Sequence, residues 1–140
     1  MKKTGVTLIE LIVVVIIIGV LGTLGISHYG AFREKALDKE AQANLRLIIA
    51  AERIFKMESD TNTFCIANCN VTAPINDNLR LNLDESNTSN WIYYVATDPV
   101  GGGICVFCYR RLANGALGRA WSLNDVAAPN SVPFPTAVCH

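Results

Sequence analysis

The sequence predicts an α+β chain: one long N-terminal helix, membrane-spanning in its first half and amphipathic in its second, packed on a small antiparallel β-sheet. Three observations carry this expectation. Leu11 to Phe32 contain no Asp, Glu, Lys or Arg, and these 22 residues exceed the roughly 20 needed to cross a hydrocarbon core of about 30 Å. Helical patterning then continues without proline to Ser59. After Asn90, three aliphatic and aromatic runs alternate with glycine-containing turns, as antiparallel strands do.

The chain has 140 residues and a formal charge of zero. That length suggests one compact domain, yet the apolar N-terminus adds little to a soluble core. The residues beyond the helix are few enough to need support from it or from disulfides. No basic excess marks a nucleic-acid surface, so no nucleic-acid partner is expected. All five cysteines, Cys65, Cys69, Cys105, Cys108 and Cys139, lie outside the apolar run. This usage fits a domain exported to an oxidising compartment. The odd number leaves at least one thiol unpaired within a monomer.

The chain opens with Met1-Lys2-Lys3-Thr4-Gly5, followed by Val6-Thr7-Leu8-Ile9-Glu10-Leu11 and the apolar run. The lysines hold that end in the cytoplasm and send the remainder out. No small-residue cleavage site follows the run, so it stays in the mature protein. An ordinary one-pass anchor would explain the lysines and the length but not Glu10. A charge on the apolar part of a membrane helix costs roughly 2.5–3.5 kcal/mol on insertion scales and marks a function.

These residues resemble the class III signal of type IV pilins and of the pseudopilins of type II secretion. The resemblance covers about the first 30 residues and rests on Gly5, Val6 and Thr7-Leu8-Ile9-Glu10 in that order, followed by the uninterrupted apolar run. It implies that a prepilin peptidase cuts between Gly5 and Val6 at the cytoplasmic membrane face, and that the new amino terminus is methylated. Family members usually carry Phe where this chain has Val6. The resemblance further implies a single-pass precursor in the inner membrane, handled by an inner-membrane assembly platform. Identical subunits then join it in a helical filament, at the cell surface or in the periplasm. In that filament Glu10 would meet the free amine of a neighbouring subunit, because a buried carboxylate needs a partner to offset its desolvation. The implied function is a structural subunit of a type IV pilus or pilus-like filament. The alternatives are a secretion pseudopilin and, from another class, a membrane-anchored binding domain.

The chain therefore divides into a leader, 1–5, a transmembrane half-helix, 6–30, an amphipathic half-helix, 31–59, and a cysteine-containing loop and sheet region, 60–140. Gly19, Gly22 and Gly25 recur every three residues. They permit close helix approach or local unwinding at about 1 kcal/mol each relative to Ala. Farther along, Leu47, Ile48, Ala51, Ile54 and Phe55 trace one apolar face. Glu52 and Lys56 are spaced for an i,i+4 ion pair. The charged set Arg33, Glu34, Lys35, Asp38, Lys39 and Glu40 reads as a solvated or subunit-facing surface.

Ser59 to Thr63 is a polar break, and the stretch to Ser89 reads mostly as loop. Within it Leu79-Arg80-Leu81-Asn82-Leu83 alternates, which suggests a short strand or an extended segment. Trp91–Ala96, Ile104–Tyr109 and Arg119–Leu123 are the three strands, expected to pack on the helix around Ile48 and Phe55. Asn114-Gly115 signals a tight turn. Pro129, Pro133 and Pro135 make the tail irregular.

Cys65-x-x-x-Cys69 and Cys105-x-x-Cys108 invite a four-thiolate zinc site. However, Cys105 and Cys108 point to opposite faces of a strand, and export favours disulfides. The expected bridges are Cys65–Cys69 and Cys139 to Cys105 or Cys108. The second would resemble the C-terminal disulfide-bounded region of many pilins. Asp84, Glu85 and Asp98 lack the dense oxygen spacing of a calcium loop. His28 and His140 have no nucleophile beside them. No enzyme site, metal or cofactor is expected.

Overall fold

The computed structural model describes residues 5–86, 88–98, 103–124 and 130–132. Helix α1 spans Leu8–Glu58 and helix α2 spans Thr72–Leu79. Strands β1 (Trp91–Thr97), β2 (Ile104–Arg111), β3 (Leu117–Asn124) and β4 (Asn130–Val132) follow. The fold is α+β. Its residues group into two units that divide between Leu37 and Asp38. The first holds the N-terminal part of α1. The second holds the remainder of α1, α2 and the sheet.

The sheet is an antiparallel meander in the order β1-β2-β3-β4. Its registers place Tyr93 opposite Cys108 and Cys108 opposite Trp121. The turn between β2 and β3 closes at Gly115, whose φ of +79° suits a residue without Cβ. Its N–H donates to Leu112 O at 2.9 Å. Strand β4 was not expected from the sequence. A three-residue strand in a proline-containing tail carries no periodicity of its own, and only pairing with β3 defines it.

The Asp38–Glu58 part of α1 lies against one sheet face. Asn44 Nδ2 donates to Tyr93 Oη at 2.7 Å, and Trp121 Nε1 donates to Asp38 Oδ1 at 3.4 Å. Within Asp38–Glu58 the buried residues are Ala41, Leu45, Ile48, Ile49 and Glu52. They recur at i, i+4, i+7, i+8 and i+11, one stripe of a 3.6-residue period. This corrects the expected face. Ile48 is fully buried, but Leu47 is 47% and Ile54 52% exposed. Asp38 also leaves the expected solvated set, because its Oδ2 pairs with Arg119 Nη1 at 3.1 Å.

The loop reading of 60–89 needs a second correction, because Thr72–Leu79 is helical. Apart from Ala73 and Leu79, its residues are poor helix formers. Pro74 falls in the first turn, where its missing N–H is no loss. Ile75 and Leu79, one turn apart, are both buried. The Thr72 hydroxyl accepts the Tyr93 N–H at 3.0 Å, so α2 occupies the open edge of β1. Leu79–Leu83 is therefore not a strand. Leu79 ends α2, and Leu83 is pinned by Asn76, which accepts its N–H and donates to its carbonyl, both at 2.8 Å.

Candidate functional site

The residues singled out by the sequence fall in two places: the start of α1, and the cysteine-bearing part of the second unit. Gly5, Val6 and Thr7 precede the helix without regular structure, and all three are exposed. The Gly5–Val6 peptide is thus presented as accessible chain. Met1 to Thr4, with both lysines of the basic head, lie outside the described residues. Thr7 O accepts the Leu11 N–H at 3.2 Å and opens the helical ladder.

Glu10 occupies the first turn of α1. A carboxylate there is favoured by the partial positive charge of the helix N-terminus. Around it the apolar surface is uncovered: Leu8 is 77%, Ile9 72%, Leu11 60% and Ile18 63% exposed. Side chains continue so through Leu21. A contiguous apolar patch of that extent marks a protein or membrane contact. A Cβ added at Gly19 or Gly22 would meet nothing within 4 Å. Neither glycine is demanded by packing within the chain. The Thr23 hydroxyl returns a 2.8 Å hydrogen bond to Val20 O, which satisfies it within the helix. Among the described residues no helix is long and apolar enough to cross a membrane. In the apolar run the side chains are described continuously only as far as Thr23.

In the second unit Cys65 and Cys69 form a disulfide, as expected. Cys108 is a free, buried thiol. Burial pushes it up to about 12, opposed by a hydrogen bond from the backbone at Trp121. Cys105 is disulfide-bonded. Of the two partners considered for Cys139, Cys108 is thus eliminated; Cys139 itself lies outside the described residues.

Sequence reasoning missed Glu52. Its expected ion pair with Lys56 does not form. Lys56 Nζ instead sits 4.3 Å from the Phe64 ring centroid, a cation–π geometry. Glu52 is fully buried on the inner stripe of α1. Its Oε2 accepts the Cys65 N–H at 2.9 Å, while Oε1 has no partner among the described residues. Desolvation pushes this carboxyl up to about 7, and the Cys65 N–H opposes the shift. A charged residue at an inward helical position was the available signal, hidden by the i,i+4 lysine.

Apart from Ile48, the stripe expected to pack inward lines an open groove of about 510 Å³ instead. Leu47, Ala51, Ile54 and Phe55 form one wall, and Leu79 and Leu81 belong to the other. Asp84 and Glu85, considered for calcium, serve local bonds: Asp84 Oδ1 accepts the Ser86 N–H at 2.9 Å, and Glu85 accepts from Asn76.

Comparison with models of known families, with curated proteins and with solved structures finds no match.

Proposed function

We propose that this chain is a structural subunit of a type IV pilus or pilus-like filament. In this reading a prepilin peptidase removes residues 1–5, and the chain assembles with identical copies through the apolar start of α1. It waits in the inner membrane, second unit outside, until an assembly platform extracts it. Its role is structural rather than catalytic. One observation carries the reading: an exposed apolar helix start that holds a single carboxylate, Glu10, in its first turn. Apolar burial drives association without direction. A charge that must find its counter-charge supplies axial register, because a one-residue slip leaves it buried and unpaired. The accessible Gly5–Val6 peptide supports processing, and the separate second unit supports a surface-displayed domain.

Two experiments test this. Mass spectrometry of the N-terminal peptide from native protein should find a chain that starts at methylated Val6. A start at Met1 would sink the proposal. Glu10→Ala should abolish polymerisation while membrane insertion stays normal. A membrane-anchored binding domain would instead be indifferent to that change. Long surface filaments at native expression would separate a pilus subunit from a secretion pseudopilin.

A further inference from the structure

The Glu52 carboxylate does not stand alone. Ligand atoms of Glu52, Cys65 and Cys69 lie within 4.8 Å of one another, and all three residues are buried. One carboxylate oxygen is fixed by the Cys65 N–H; the other has no partner among the described residues. A buried acceptor with nothing to accept is costly, and such a group calls for an explanation. A metal-ligating carboxylate is commonly held in this way, with a backbone donor orienting it and an oxygen left for the ion. The two sulfurs supply soft ligands beside it. α1 fixes the carboxylate, and the five-residue loop 65–69 fixes both sulfurs, whose Cα atoms are 5.5 Å apart.

We propose that in the dithiol state of the chain Cys65, Cys69 and Glu52 hold one zinc ion, so that metal binding and the Cys65–Cys69 disulfide are alternative states of one site. Two thiolates and a carboxylate suit zinc by donor softness and number, and water completes a tetrahedral shell. Starting from the disulfide, a dithiol reductant supplies two electrons and two protons. The Sγ–Sγ bond breaks, two thiols form, and the reductant closes its own disulfide. Zinc then displaces one proton from each thiol and accepts the Glu52 carboxylate. A newly made chain needs no reduction, because its cysteines begin as thiols. The site would hold Cys65 and Cys69 together and away from the other three cysteines until oxidation joins them.

The test uses the full chain in detergent, reduced with a dithiol, freed of reductant and titrated with zinc alone. The expected result is one zinc per chain after reduction and none in the oxidised protein. X-ray absorption at the zinc edge of the wild-type chain needs no variant. It should show two sulfur neighbours at about 2.3 Å and oxygen neighbours at about 2.0–2.2 Å. A four-sulfur shell, or no retained zinc, overturns the proposal. The triple variant Cys105→Ser, Cys108→Ser, Cys139→Ser should still take one zinc, and Cys65→Ser with Cys69→Ser should take none. Glu52→Gln keeps an acceptor for the Cys65 N–H but should weaken zinc binding by roughly tenfold or more. Equal zinc affinity in Glu52→Gln, or equal retention without Cys65 and Cys69, overturns the assignment.

Discussion

Glu52 Oε2 accepts the backbone N–H of Cys65 at 2.9 Å, joining α1 to the disulfide loop across 13 positions of sequence. The bond makes the helix register and the loop position depend on one another. It also buries a carboxylate whose other oxygen has no hydrogen-bond partner among the described residues.

That placement predicts a pH-dependent stability of the oxidised, metal-free chain. Burial raises the Glu52 carboxyl from the ordinary 4.5 to about 7 in the folded state. The folded form therefore binds more protons than the unfolded form between these values, and stability falls as pH rises through that window. Below about 4.5 both states are protonated and the penalty is absent; above about 7 it is fully present. The expected size is on the order of 2 kcal/mol. Denaturant unfolding at pH 5 and pH 8 should show this loss, and Glu52→Gln should flatten it. An unchanged pH profile in Glu52→Gln would refute the assignment.

Ile48 and Ile54 are chemically identical and six positions apart on α1, but only Ile48 is buried. Ile48→Ala should cost about 2–5 kcal/mol, the range for emptying a packed site. Ile54→Ala should cost under about 1 kcal/mol, because its side chain already meets solvent. Chemical denaturation of the detergent-solubilised chain reads both. Comparable losses would mean that the inner face of the helix is misassigned.

Cys108 should resist thiol reagents in the folded chain. Its thiol is buried and pushed up to about 12, so the reactive thiolate is scarce and shielded. Alkylation at pH 8 without reductant should add no label to the native protein and one label per chain in denaturant. Rapid labelling of the native chain would contradict this placement.

Cys105 carries a disulfide, Cys65 and Cys69 bond each other, and Cys108 is free. Cys139 is the one cysteine that this assignment leaves over. Non-reducing peptide mapping should recover a Cys105–Cys139 linkage. Opening it should destabilise the second unit by about 2–4 kcal/mol, as long-loop bridges do. A Cys108–Cys139 peptide would refute the pairing.

The turn at Gly115 and the three principal strands were legible because their causes are local. Trp91–Ala96 is aromatic and β-branched, which marks a strand without reference to the rest of the chain; which face turns inward, that of Trp91, Tyr93 and Val95, shows only in its burial. The Cys65–Cys69 bridge was legible for a similar reason, since its ends are only four positions apart in sequence. Helix α2 was not. Its one structural cue, Ile75 with Leu79, becomes decisive only when a core exists to receive both.

By itself, then, the sequence determined that α1 is long, that its first part is apolar around a single acid, and that three antiparallel strands follow. Periodicity, charge and turn residues act over a few neighbours and need no partner to be read. Only the tertiary structure decided which side of α1 turns inward. Leu45, Leu47, Ile48, Ile49, Ala51, Ile54 and Phe55 give apolar character to more than one side, and propensity does not choose among them. The choice falls to shape against the sheet and to the Cys65 N–H, which makes an inward Glu52 tolerable. A buried charge is settled by what surrounds it in space, and that information is distributed along the whole chain.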